Sequence, residues 1–268
     1  MKARLRPLAE LPDAVRRRLR GVFTDIDDTV STHGRVTAVA YAAMERMRRQ
    51  GLLVIPVTGR PAGWCDHIAR MWPVDAVVGE NGALYMIRDE SAAKLRKRYA
   101  LGEADRNVAR LRFARIADSI LREVPGAGLA SDQPYRESDL AIDYCEDVPP
   151  LPGKAVDRIV ALMRAEGMTV RVSSIHVNGW FGAYDKLTMT RTLLREEFGI
   201  DLDAERDRFV FAGDSPNDQP MFEFFPNAVG VANVRDMADL MTHLPAWITP
   251  SRGSRGFAEL AAALLAAR

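Results

Sequence analysis

Val22-Phe23-Thr24-Asp25-Ile26-Asp27-Asp28-Thr29 is the stretch on which the fold turns. A short apolar run that stops at an acid reads as a buried strand of a parallel sheet, and open α/β sheets bind ligands beyond the carboxyl ends of such strands. Five more runs repeat the pattern: Leu52 to Val57 stops at Thr58, Ala76 to Val78 at Gly79 and Phe209 to Gly213 at Asp214, while Ala228 to Val231 precedes Asn233 and Ala246 to Ile248 precedes Thr249. Helical patterns separate several of them. Thr37 to Gln50 sets Val39, Ala43, Met44 and Met47 at helical spacing and stops at Gly51, a residue suited to a helix C-terminus.

This alternation predicts an α/β fold with a doubly wound parallel, Rossmann-like core sheet. Between about Leu84 and Tyr184 the alternation lapses, which predicts a core of residues 1–84 and 185–268 and an inserted α/β cap of residues 85–184, a domain-sized length. Inside the insert, a helix near Asp105 to Val124 is expected to bury Val108, Leu111, Ile116 and Ile120 on one side. A second is expected near Lys154 to Glu166, stopped by Gly167. Leu140, Ile142 and Tyr144, then Met168 to Val172 and Ile175 to Val177, read as strands.

The 268 residues carry 37 Lys plus Arg against 36 Asp plus Glu, with 47% hydrophobic and 27% charged residues. That is ordinary globular composition, ample for a sizeable core. A formal net charge of +1 supplies no general field for nucleic acid or an anionic membrane, so anion binding must be local. The longest apolar runs fall well short of the ~20 residues that span a bilayer. Arg16, Arg17, Arg18 and Arg20 are followed by no apolar segment of leader type, so they read as a solvated basic helix. Cys65 and Cys145 form no disulfide framework and fit a cytoplasmic location, and the four histidines are scattered without zinc-ligand spacing. Pro250 to Gly256 reads as a loop before an Ala-rich terminal helix.

The acids carry the chemistry. Asp25 at a strand end can attack phosphorus and divide one difficult displacement into two easier ones. Asp27, two residues on, is placed to protonate the departing oxygen and then take a proton from water, a task served by neighbouring acids that raise its pKa. Gly213-Asp214-Ser215-Pro216-Asn217-Asp218 adds a second acidic group. So many carboxylates around an anionic phosphate call for a hard cation, and Mg2+ held by Asp25, Asp214, a main-chain carbonyl near Asp27 and the substrate is the economical answer. Thr58 and Lys186 supply the donors that phosphoryl oxygens require.

In this order and spacing the residues resemble the haloacid dehalogenase-like superfamily: Asp25 to Thr29 its first motif, Thr58 its second, Lys186 its third, Asp214 with Asp218 its fourth. The resemblance implies Asp25 as nucleophile, Asp27 as acid and base, Thr58 and Lys186 as phosphate binders, and Asp25, the Asp27 carbonyl and Asp214 around magnesium, with Asp218 supporting the metal directly or through water. The insert's place resembles a C2-type cap, subtype B. Glu80-Asn81-Gly82-Ala83 and the Gly213 to Asp218 run are similar to the branch of sugar phosphatases, sucrose-phosphate and mannosyl-phosphoglycerate phosphatases and phosphomannomutases. Asp28 departs from a glycine carried by many relatives.

In the cap, strand alternation puts Ser174, His176 and Asn178 on the face opposite Ile175 and Val177, where they could meet a substrate or simply face solvent. Arg60 and Asn81 are further substrate-binding candidates. Trp64, Trp72, Trp180 and Phe181 read as core or hinge packing. The expected activity is Mg2+-dependent hydrolysis of a small phosphorylated metabolite, sugar phosphates foremost, with no nucleic acid or membrane partner. A phosphomutase on the same scaffold and a phospho-accepting signalling module are the alternatives.

Overall fold

In the computed structural model, which describes residues 5–268, β1 (Arg6–Pro7) and α1 (Asp13–Arg18) precede the central strand β2 (Gly21–Thr24). A small hairpin, β3 (Ser31–Thr32) and β4 (Arg35–Val36), leads to α2 (Ala38–Arg49), β5 (Leu53–Pro56), α3 (Ala62–Met71) and β6 (Val77–Gly79). The middle of the chain makes β7 (Leu84–Asp89), β8 (Lys94–Tyr99), α4 (Glu103–Glu123), β9 (Gly128–Leu129), β10 (Leu140–Asp143), α5 (Gly153–Ala165), β11 (Thr169–Val172) and β12 (His176–Trp180). It then returns through α6 (Lys186–Phe198), α7 (Leu202–Glu205), β13 (Phe209–Gly213), α8 (Gln219–Phe224), β14 (Val229–Gly230), β15 (Trp247–Ile248) and α9 (Gly253–Leu265).

The core sheet runs β1-β15-β14-β13-β2-β5, every neighbouring pair parallel. Its strands are apolar on both faces because both are covered. Val22, Val54 and Val210 face one cluster with Met44 and Met47 of α2 and Leu260 and Leu264 of α9. Phe23, Ile55 and Phe211 face the other, with Leu193 and Leu194 of α6 and Met221 of α8. This is the doubly wound arrangement the alternation predicts. Parallel strands end together, so Asp25, Thr58 and Asp214 emerge at one rim.

The second sheet, β11-β12-β10-β9, is antiparallel and covered on one face by α4 and α5. Leu140, Ile142 and Val177 point into that cluster, so Asp143, His176 and Asn178 point the other way. All three are buried, which places this face against the core rim rather than in solvent.

Several expectations are corrected. β6 meets the parallel sheet only through a bridge from Val57 to Val78 and then pairs antiparallel with β7, because the chain turns straight back at Gly82. The hairpin β7–β8, which begins at the expected domain boundary, buries Leu84 and Met86 in one core cluster and Tyr85 in the other. In α4, Val108 and Leu111 are 61% and 80% exposed, and the buried stripe is Ala109, Phe113, Ile116, Ala117 and Ile120. Both stripes have helical spacing; the wider one fills the space against α5 and β10. In α2, Val39 is exposed and Ala40 takes its place. The strand read as Ile175 to Val177 runs His176–Trp180, leaving Ser174 in the preceding bend. Pro250 to Gly256 is not all loop, since α9 begins at Gly253.

Candidate active site

Each principal side chain is delivered by a local structural rule. Asp25 follows β2 directly, its amide donating to Ala212 O at 2.8 Å, so it continues the strand ladder to the rim. Thr58 follows β5, and its Oγ accepts the Arg60 amide at 3.0 Å, a side-chain turn that tightens the chain at Gly59. Lys186 is the first residue of α6, whose entry is fixed by Asp185 and Thr188 in a reciprocal capping box. Gly82, at φ 102°, permits the approach of that helix: a Cβ there would lie 2.0 Å from Asp185 O. Gly213 serves similarly, since a Cβ would meet Asp218 Oδ2 at 2.4 Å.

These elements bring four of the named residues together. Lys186 Nζ lies 2.8 Å from Asp25 Oδ1 and 2.8 Å from Asp218 Oδ1. Asp25, Asp214 and Asp218 each offer an oxygen within 4.8 Å of the others, and all are buried. Asp218 Oδ2 accepts the amides of Asp214 and Ser215, at 3.1 and 3.3 Å, so both its oxygens are engaged in fixing Asp214 and Lys186. Asp214 in turn accepts from Thr29 Oγ1 at 3.2 Å and from Asn233 Nδ2 at 2.8 Å. Asn233 was not among the predicted site residues. Its amide also reaches Asp28 O at 3.0 Å, tying the loop after β2 to the loop after β14, and only its place just beyond a strand signalled it.

Three carboxylates gather in this cluster, and the Lys186 ammonium meets two of them, Asp25 and Asp218. Burial raises Asp25 to about 7 despite Lys186, with Asp218 and Asp27 adding to the rise. Burial, then Asp218 and Asp25, push Asp214 well above the ordinary value. The site is short of two positive charges. Its donors are all oxygens, without sulfur or imidazole, which suits a hard divalent cation such as Mg2+ and fits Asp25 and Asp214 as its holders.

Asp27 has a different surrounding. The acids expected to crowd it are replaced by a cation: Arg60 Nε lies 3.0 Å from both its carboxylate oxygens, and Nη2 lies 2.8 Å from Oδ1. Arg60 reaches Asp27 because the turn at Thr58 and Gly59 aims it back across the rim, with the Trp64 ring 4.5 Å from its guanidinium. The same guanidinium meets the second sheet, Nη2 at 2.7 Å from Glu146 Oε1 and Nη1 at 3.3 Å from Glu146 Oε2 and from Asp132 Oδ2. Despite burial, His176 and Arg60 draw Glu146 down to about 2.

Of the cap candidates, His176 puts Nε2 2.8 Å from Glu146 Oε2, and Asn178 Nδ2 donates to Asp139 Oδ2 at 3.0 Å. Asp139 and Asp132 hold Arg136, which donates to Gly59 O at 2.9 Å across the rim. Ser174 lies at the edge of the same space, while Asn81, at φ 54°, stands behind Gly59 with its amide nitrogen buried and unpartnered. Glu80 was noted only as part of a motif. It accepts the amides of Ala62, Glu137 and Ser138, pinning the two sheets together, and burial and then Asp139 push it up to about 8. Asp28 adopts φ 53°, a conformation Asp tolerates better than most residues, so the departure from glycine keeps the turn. Between Asp25, Asp27, Arg60 and His176 the free space is about 10 Å3, room for one water molecule.

Comparison with known proteins agrees with this geometry. Residues 22–104 match the family model described as haloacid dehalogenase-like hydrolase. A phosphoglycolate phosphatase of Methanospirillum hungatei is 24% identical over 233 residues, covering 85% of this chain and 91% of its own. The C-terminal domain of a C. albicans trehalose-6-phosphate phosphatase shares the fold at a TM-score of 0.71 and 12% identity, covering 99% of both chains. The sucrose-phosphatase of Synechocystis, solved with sucrose and phosphate, shares it at a TM-score of 0.62 and 16% identity, covering 92% of this chain and 98% of that one. The motif residues at one rim and the match over residues 22–104 make the chain similar to the haloacid dehalogenase-like hydrolases.

Proposed function

We propose that the protein is a Mg2+-dependent phosphatase that hydrolyses a small phosphorylated metabolite through a phosphoaspartate at Asp25. The observation that carries this reading is Lys186 Nζ at 2.8 Å from both Asp25 and Asp218, with an oxygen of Asp214 within 4.8 Å of theirs. A divalent cation, when bound, neutralises the surplus acids and polarises the phosphoryl group. The side chains do the rest. Asp25 attacks phosphorus while the ester P–O bond breaks and the departing oxygen takes a proton from Asp27. Water then attacks phosphorus, passes its proton to Asp27, and frees both phosphate and Asp25. Lys186 and Thr58 donate to the phosphoryl oxygens, and Asp218 steadies Lys186 and the backbone of Asp214.

The second sheet, within residues 85–184, acts as a cap, with the hairpin β7–β8 riding on the core side. Closed, it leaves little space between Asp25, Asp27, Arg60 and His176, which favours small substrates. Arg60, Asn81, Ser174, His176 and Asn178 form the substrate side. The similar proteins are named for phosphoglycolate, trehalose 6-phosphate and sucrose phosphate, which supports a small ester with sugar phosphates foremost. No described helix is long and apolar enough to cross a membrane, and the thiols of Cys65 and Cys145 are free, which supports work in a reducing cytoplasm.

The test is phosphate release across phosphorylated sugars, glycerates and phosphoglycolate, with and without Mg2+. Release that needs Mg2+ and no bisphosphate activator is expected, and it separates a phosphatase from a phosphomutase. A folded, Mg2+-supplied protein that releases phosphate from no ester would overturn the reading.

A further inference from the structure

Arg60 joins two parts of the molecule that must separate for substrate to enter. The space of about 10 Å3 between Asp25, Asp27, Arg60 and His176 is too small for a phosphate ester, so the cap must lift for one to reach Asp25. When it lifts, the bonds from Arg60 to Glu146 and Asp132 break, whereas its bonds to Asp27 lie within the core and survive.

The guanidinium is then held from one side only. Its main chain stays fixed, the amide on Thr58 and the carbonyl on the Glu80 amide at 3.0 Å, so what changes on closing is the side chain. Glu146 is well suited to change it. Buried Asp143, at the end of β10, accepts the amides of Cys145, Glu146 and Asp147 at 2.8 to 2.9 Å, which makes the turn carrying Glu146 a rigid part of the cap. His176, paired with Asp143 in the adjacent strand, meets the far oxygen of Glu146. A planar guanidinium gripped along one edge by Asp27 and along another by Glu146 has a single orientation.

We propose that Glu146 is a positioning residue: held by the cap, it fixes Arg60, and through Arg60 it sets Asp27 for proton transfer only when the cap is closed. This rests on the phosphatase reading and adds to it a coupling of closure to protonation of the leaving group. It also says what Glu146 does not do. Both its oxygens accept from Arg60 in the closed site, so it is not a ligand for substrate hydroxyls.

Proton donation matters when the leaving oxygen is a poor one. An alkyl or sugar phosphate needs the proton from Asp27, while p-nitrophenyl phosphate expels a stable phenolate without it. The experiment compares kcat/KM, which reports steps up to phosphorylation of Asp25, for glycerol 3-phosphate and p-nitrophenyl phosphate in the full-length wild type, Glu146→Gln and Glu146→Ala. Glu146 sits in a partly exposed turn, and Glu146→Gln keeps its size, so folding is expected to survive. The expected result is a loss of about 30-fold for glycerol 3-phosphate, within the range for one general acid, and under about threefold for p-nitrophenyl phosphate.

Equal losses on both esters, or no loss on either, would overturn the inference and leave the phosphatase reading standing. Wild type inert toward both esters would instead count against the phosphatase reading itself.

Discussion

The acids around Lys186 and the acid that meets Arg60 from the cap differ in one respect, the number of cations each can reach. Asp25 and Asp218 share one ammonium with Asp214 close beside them, and burial lifts Asp25 to about 7. Glu146 is met by the Arg60 guanidinium, which Asp27 and Asp132 share, and by the His176 imidazole, and they bring it down to about 2 although burial opposes them. One region stands ready for a cation from solution; the other is complete and holds two parts of the molecule together. A buried charge is tolerable only when matched, and the shortfall at the core rim is where a metal and a phosphoryl group would find their places.

The largest effect should come from the deficient region. Asp25→Asn is expected to lower kcat by at least about 10^4-fold, since no other group takes over the nucleophile's bond. Its unfolding free energy should stay within about 1 kcal/mol of wild type, because the amide removes a carboxylate that burial already disfavours. Phosphate release and denaturant unfolding read the two quantities. A variant retaining a tenth of the activity contradicts the role given to Asp25.

Lys186→Met should separate the regions further. It leaves Asp25 and Asp218, with Asp214 close beside them, without their cation, at a cost of about 3–5 kcal/mol near neutral pH without metal. The cost should shrink as pH falls toward about 5, where the raised acids bind protons in the folded state. A cost independent of pH would mean that Lys186 is merely packed. Mg2+ should stabilise the wild type by about 2.7 kcal/mol at a hundred times its dissociation constant, an effect that Asp214→Asn abolishes in thermal unfolding.

How much of this was legible follows the same division. The core acids each stand at the end of an apolar run, so the order of runs along the chain already grouped Asp25, Thr58 and Asp214 at one rim. Lys186 was readable from its place at a helix start. The seam was not. Glu146 and Asp132 lie in irregular stretches 86 and 72 residues from Arg60, and no local pattern ties an acid in a turn to an arginine so far away. Arg60 and His176 are candidates for substrate, and the structure sets both beside Glu146 in the closed site, a neighbour that no local pattern names. Helix α4 shows the limit in packing: Val108 and Leu111 fit the helical period as well as Ala109 and Phe113 do, and only the neighbouring α5 and β10 decide between them.

The smallest effect belongs to the matched region. Glu146 is held below the ordinary glutamate value of 4.5, so the stability it adds is present above that pH and fades as pH falls toward about 2. Glu146→Gln should therefore cost about 1 kcal/mol near pH 6, a figure kept small because a quarter of the side chain is exposed, and almost nothing near pH 2. A loss that persists unchanged into acid would show that the pairing with Arg60 and His176 is not what holds Glu146 in place.

The central claim is that the lysine-held carboxylate at the end of β2 takes the phosphoryl group. Rapid acid quenching during turnover of a hydrolysed ester, followed by peptide mass spectrometry, tests it most directly. An acid-stable, base-labile phosphate on the peptide containing Asp25, absent in Asp25→Asn, is the predicted result. Brisk turnover with Asp25 never phosphorylated, or with the phosphate on another residue, would contradict it.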